Sequence, residues 1–289
     1  MANALKLLYI LVEDKPPEWF AENLQNLKGW LERPSNLNDP LLDELSAPIM
    51  TQIISSLPTL AGKDEVLTAV QEFYSWINGI VNEGIRSNSH IPLTSAVLQA
   101  NPASLEEFAG NLSKMFGKVA RECIQIPPPP QLHAPSQVRQ INEPATRAVK
   151  SLLEIWRVHM PISSEHRKSV LFTLQGLVEK SVDVSVCRLI LDMCHEWVFA
   201  CHDSFPTMRE KARLLTKMTC LEYKRFEEPI LADFLNLILD VYKESSLRQT
   251  DLTIKLESAF LVGCRSKNPI VCLKFVELFD DSLPHALAS

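Results

Sequence analysis

Cys187, Cys194 and Cys201 recur every seven residues, and His195 and His202 each follow one of the last two. Thiolates and imidazoles are the ligand set of zinc. The spacing works against that chemistry. Residues seven apart on a helix lie about 10.5 Å apart along its axis. Zinc holds its ligands at about 2.0–2.3 Å, so two of these cysteines on one helix cannot share an ion. A stripe of small apolar side chains packed against a neighbouring helix fits the pattern better. Nucleophilic catalysis fares no better. No serine stands in a G-x-S-x-G elbow, and no histidine sits in a motif that would make it a base. His159 and His166 flank Pro161 at a helix junction, where they read as surface or capping groups.

Charge is the remaining chemistry. Arg209, Arg213 and Lys217 are spaced by four, and Lys224 and Arg225 follow. On a helix this spacing makes a positive stripe, on the face away from Met208, Leu215 and Met218. Such a stripe can receive an acidic peptide or a phosphate backbone, although an ordinary solvated helix face looks the same. It is the candidate contact surface of the chain. Two acidic pairs, Glu227-Glu228 and Asp280-Asp281, lie near predicted helix ends. Asp280-Asp281 falls at a predicted C-terminus, the unfavourable end of the dipole for negative charge. That marks either a partner contact or a solvated helix end.

The elements that must carry these groups are helices. The chain has 289 residues, 46% hydrophobic and 22% charged, enough for a sizeable core. It has 8 glycines and 19 prolines. Average usage would give roughly 20 glycines. Few glycines and many prolines suit straight helices stopped by breakers, and they suit phosphate or dinucleotide loops badly. The net charge of −6 argues against wholesale nucleic-acid binding. No apolar run reaches the ~18 residues that span a bilayer. The N-terminal LKLLYILV lacks a basic flank and a cleavage site, and reads as a helix. The odd cysteine count of seven, without tight loops, fits reduced thiols.

Helical spacing recurs along the whole chain. Val66, Val70, Phe73, Ile77 and Ile80 make one apolar face, and Leu105, Phe108, Leu112, Met115, Phe116 and Val119 the next. Asn101-Pro102 and Asn268-Pro269 look like N-caps with proline in the first turn. Residues 126–142, with four consecutive prolines, interrupt the pattern and favour an extended segment. They read as a linker, or as a ligand for a proline-reading domain. The organisation is therefore a helical-repeat segment over 1–125, a linker over 126–142 and a second segment over 143–289. Beyond the linker, Val149, Leu152, Leu153, Trp156 and Met160 form a face closed by Pro161. Val170, Leu174, Leu177 and Val178 form another. A helix follows over 184–201, and Thr207 with Glu210 has capping-box spacing. Another covers roughly 228–243, with Leu231, Phe234, Leu235 and Ile238 inward, and two amphipathic helices joined by an Asn-Pro turn occupy 250–282. The fold class is all-α: an α-solenoid of irregular HEAT-like antiparallel helix pairs, about a dozen helices and no significant sheet.

Several stretches resemble the TRRAP family (transformation/transcription domain-associated proteins), in the same order. They are SSEHRKSVLFTLQGLVEKS at 163–181, HEWV at 195–198, PTMREKARLLTKM at 206–218, ESAFLVGCRSKNP at 257–269 and KFVELFDDS at 274–282. NPASLEEFAGNLSKMFGKVARE at 101–122 is related more weakly. The likeness covers about 63–282; the first 60 residues and the proline stretch carry nothing specific. The resemblance implies a piece of the helical-repeat region before the FAT domain of a much longer protein. Its cut ends should expose apolar helix faces. It implies a non-catalytic scaffold without cofactor, nuclear, belonging to SAGA-type and related histone acetyltransferase complexes. The implied partners are acetyltransferase-complex subunits and acidic transcriptional activators, with no membrane and no direct sequence-specific nucleic-acid binding. The equivalent region of an active related kinase, or a transport-receptor or coat-type solenoid, is the alternative.

Overall fold

The computed structural model describes residues 1–37, 39–60, 64–125, 135–199, 205–224, 230–247 and 250–287, without the side chains of 59–60, 64–66, 135–141 and 281–287. Fourteen α-helices stand among the described residues: α1 (Ala2–Val12), α2 (Pro17–Ser35), α3 (Pro40–Leu60), α4 (Asp64–Ser87), α5 (Ile91–Ala100), α6 (Leu105–Ile124), α7 (Pro135–Val158), α8 (Ser164–Lys180), α9 (Val184–Phe199), α10 (Met208–Met218), α11 (Ile230–Lys243), α12 (Asp251–Lys255), α13 (Glu257–Cys264) and α14 (Pro269–Leu287). No strand occurs among those residues. The fold is an all-α solenoid of irregular HEAT-like pairs.

Two compact units divide the chain. One comprises Met1–Arg121 with Arg147–His166, the other Glu122–Thr146 with Arg167–Ser289. In the first, α2 buries Phe20, Leu24, Leu27 and Leu31, a spacing of four and three that puts all of them on one face. Against it α3 buries Ile49, Met50, Ile53, Ile54 and Leu57. Phe116 of α6 meets Trp156 of α7 at 6.1 Å between ring centroids, and both are fully buried. In the second unit α8 buries Val170, Leu174, Leu177 and Val178, and α11 buries Phe234, Leu235 and Ile238. Each such side chain contributes roughly 1.5–3 kcal/mol on leaving water, so four or five per helix suffice to hold a stack.

Local chemistry sets the helix starts. Thr207 caps α10 with the full reciprocal box: its hydroxyl receives the Glu210 amide, and the Glu210 carboxylate receives the Thr207 amide at 2.8 Å. Asn268 Oδ1 accepts from the amides of Ile270 and Val271 at 3.0 and 3.4 Å, starting α14 at Pro269. Asn101 makes no side-chain cap bond; it precedes a short 3-10 turn, Pro102–Ser104, that leads into α6.

The structure departs from the sequence reading at further points. Helix α7 starts at Pro135, inside the stretch assigned to the linker, because proline is a natural first helical residue. Asn142 on α7 then donates to the Cys123 and Gln125 carbonyls at the end of α6, 2.9 Å each. The four consecutive prolines themselves lie outside the described residues. Proline also does not always stop a helix: Pro34, Pro48, Pro58 and Pro144 lie inside helices. Around Pro48 the burial of Ile49, Met50, Ile53 and Ile54 offsets the lost backbone bond. On α4 the inward face is Val70, Phe73, Ile77, Val81 and Ile85, with Ile80 only half-buried.

The first of the two helices expected over 250–282 is broken at Leu256 into α12 and α13. Two carbonyls there are taken by side chains of other helices. Tyr242 donates its hydroxyl to the Thr253 carbonyl at 2.8 Å, and Thr216 donates to that of Lys255 at 3.2 Å. Diverting carbonyls from the helical ladder kinks it. Finally, α14 runs on to Leu287, so Asp280 stands inside the helix and not at its C-terminus. The dipole argument for that acidic pair therefore fails.

Candidate interaction surfaces

The described part of the cysteine stripe lies in the core. Cys187 and Cys194 are buried on α9, and burial pushes the Cys187 thiol up to about 11 and the Cys194 thiol further up. Cys201 and His202 lie outside the described residues. Among the described residues no group of His, Cys, Asp and Glu could hold a metal ion. His195 packs its ring against Phe199 at 5.0 Å, and the His166 ring lies over Gly110, where a Cβ would stand 3.2 Å from it.

Helix α10 places the predicted stripe on its outer side. Its inner side buries Ala212, Leu214, Leu215 and Met218, with Met208 half-buried. Lys211 is also buried, its ammonium donating to the Trp197 carbonyl in the last turn of α9. Burial holds the Lys211 pKa below the ordinary lysine range. Arg209 is exposed and its Nε donates to Asp251 Oδ2 on α12 at 2.7 Å. Lys217 stands 3.0 Å from Glu179 of α8. These contacts pull the Asp251 and Glu179 carboxyls below their usual range, first through the hydrogen bond and then through the charge. Arg213 is exposed, with no ion pair among the described residues. Lys224 donates to the Ser181 carbonyl at 2.7 Å. Arg225, like Glu227-Glu228, lies outside the described residues. Among the described residues the stripe is therefore a row of three cations, of which Arg209 and Lys217 hold a carboxylate and Arg213 does not. Exposed pairs of this kind contribute little to stability.

Beneath the stripe a buried anchor fixes α10 to α8. Arg167 Nε donates to both carboxylate oxygens of Glu210 at 2.9 Å, and its guanidinium lies over the Phe205 ring at 3.9 Å. Glu210 thus serves the N-cap of α10 and the anchor at once. Sequence reasoning finds the cap, because its spacing is local. It misses Arg167, 43 residues away in the chain.

Two apolar surfaces stand beside these charged ones. A groove of about 920 Å³ between α1 and α2 is lined by Met1, Leu7, Leu11, Trp30 and Arg33, among others. On α14, Ile270, Leu273, Val276 and Phe279 are exposed at a spacing of three. No described helix is long and apolar enough to cross a membrane.

Irregular helix pairs without a catalytic or metal-binding cluster among the described residues are what a repeat protein presents. The family model for the Tra1 HEAT repeat ring region matches residues 1–289, the whole chain. The chain belongs to this family. The Tra1 ring match extends the likeness beyond the stretch over 63–282 to include the first 60 residues and the proline-rich segment. Among curated relatives, the chain is 25% identical to the "SAGA complex/NuA4 acetyltransferase complex subunit Tra1" of Schizosaccharomyces pombe, over 98% of this chain and 8% of that protein. It is 25% identical to the Saccharomyces cerevisiae subunit of the same name, over 97% of this chain and 8% of that protein. It is 29% identical to the human "Transformation/transcription domain-associated protein", over 81% of this chain and 6% of that protein. The chain thus spans less than a tenth of the length of these relatives.

Proposed function

We propose that this Tra1 ring segment is a non-catalytic scaffold of a transcription coactivator subunit in SAGA-type and related histone acetyltransferase complexes. It works in the nucleus, presenting helical surfaces to other subunits and to acidic transcriptional activators. The observation that carries the reading is the match of the ring family over the full 289 residues. The names of the two yeast relatives support the choice of complex.

The mechanism is passive. Burial on the inner faces fixes the outer ones, and partners read the outer ones. The apolar faces of α1–α2 and α14 serve packing against further helices or subunits. The stripe of Arg209, Arg213 and Lys217 serves the acidic partner, with Arg213 as its open position. The test is a titration of a labelled acidic activation segment against the chain and its Arg213→Glu and Arg209→Glu/Arg213→Glu variants. The single change weakens binding, the double change weakens it further, and the helical circular-dichroism signal stays the same. Unchanged affinity in both variants removes the stripe from the account.

A further inference from the structure

A second cationic surface lies in the first unit, where the sequence pattern drew no attention. Asn82 and Arg86 sit one turn apart on α4, Asn88 in the turn that follows, and Asn111, Lys114 and Lys118 on α6. They line a cleft of about 420 Å³ floored by Ile85 and Met115, both buried. Asn88 holds the turn in the left-handed region at φ 52°, a conformation that asparagine tolerates better than most residues. The lining brings together three cations and three amides, and no carboxylate. Lys114 and Lys118 are exposed and make no ion pair among the described residues. Among the described residues Arg86 pairs only with Glu83, at 3.9 Å, with both side chains more than half exposed.

This arrangement differs from the α10 stripe, where two of three cations already hold acids. Like charges four apart on a helix destabilise it, and no ion pair to Lys114 or Lys118 among the described residues offsets that cost. An anion entering the cleft would. Three cations around one opening match a doubly charged group better than a single carboxylate, since each adds a charge-assisted bond. The flanking amides present both donors and acceptors, the complement of a peptide main chain. The buried floor offers room for one apolar side chain.

We infer that the α4–α6 cleft binds a phosphoserine- or phosphothreonine-bearing segment of a partner protein. Arg86, Lys114 and Lys118 take the phosphate, and Asn82, Asn88 and Asn111 take the adjoining backbone. The inference goes beyond the acidic-activator reading and uses none of its residues.

The test measures retention of peptide pools randomised around a fixed phosphothreonine, against the same pools with threonine or glutamate there. The chain is compared with its Lys114→Gln/Lys118→Gln and Arg209→Glu/Arg213→Glu variants. The phosphorylated pool binds the chain about tenfold or more tightly than either control pool. The lysine variant loses that preference, the stripe variant keeps it, and added salt weakens it. Both lysines are exposed, so the lysine variant keeps its helical circular-dichroism signal. Equal retention of all pools, or a preference untouched by the lysine changes, overturns the assignment. So does stronger retention of vesicles carrying phosphatidylinositol phosphate, which would give the cleft to a lipid headgroup. Failure here leaves the activator titration on α10 standing, because the two surfaces share no residue.

Discussion

Removing the Arg167 side chain tests how the outer faces are held in place. Arg167 and Glu210 are among the few charged side chains withdrawn from water, at 6% and 13% exposed. Breaking a buried pair from one side costs about 3–5 kcal/mol, because the surviving charge is left without compensation. Glu210 keeps the Thr207 amide at 2.8 Å and the Thr207 hydroxyl at 3.0 Å, and retains some contact with solvent. The cost of Arg167→Ala therefore falls at the low end, about 3 kcal/mol, more than a hundredfold in the folding equilibrium. Replacing both partners, as Arg167→Met with Glu210→Gln, costs less than the single change, since no charge is stranded. The assay is urea unfolding followed by circular dichroism, with amide hydrogen exchange on α8 and α10 to localise the loss. Arg209→Ala, which breaks an exposed pair on the same helix, should move the midpoint far less. A loss below about 1 kcal/mol for Arg167→Ala, or one no larger than that of Arg209→Ala, refutes the anchor.

Three further outcomes follow from the packing. A Cβ on Gly263 would fall on the ring of the fully buried Phe275, so Gly263→Ala forces α13 and α14 apart and costs about 1–3 kcal/mol in the same unfolding assay. Alkylation of the folded chain near pH 8, read by mass spectrometry, should leave Cys187 and Cys194 unmodified until the protein is unfolded; rapid labelling of either would place the stripe outside the core. Burial raises the Tyr242 phenol from 10.0 to about 12, so the folded chain keeps a proton that the unfolded chain releases. That contribution is intact below pH 10, is lost as pH rises toward 12, and amounts to roughly 1 kcal/mol once solvent screening is allowed for. Tyr242→Phe should flatten this part of the alkaline profile, while costing about 1 kcal/mol at neutral pH for the bond to Thr253.

What the sequence shows of this molecule is its local part. Spacing of four and three places Phe73 and Ile77, or Leu174 and Leu177, on inner faces, because helical period and burial are the same fact seen twice. The start of α10 is visible in Thr207 and Glu210, since a capping box is complete within four residues. Contacts between distant residues are not visible. The break at Leu256 depends on hydroxyls from Tyr242 and Thr216, and neither leaves a trace in the spacing of 250–264. Surfaces are harder still. Arg209, Arg213 and Lys217 form a row that sequence alone can see, but not that Asp251 and Glu179 come to meet two of them. The cleft between α4 and α6 joins residues some 30 apart, and each alone is an ordinary polar surface group.

The central proposal is that this ring segment belongs to a scaffold that assembles acetyltransferase machinery without doing chemistry. Affinity purification of the full-length protein that carries it, with mass spectrometry of its companions, tests this most directly. The account predicts subunits of histone acetyltransferase complexes among the stoichiometric companions. Recovery of transport or coat components in their place would contradict it.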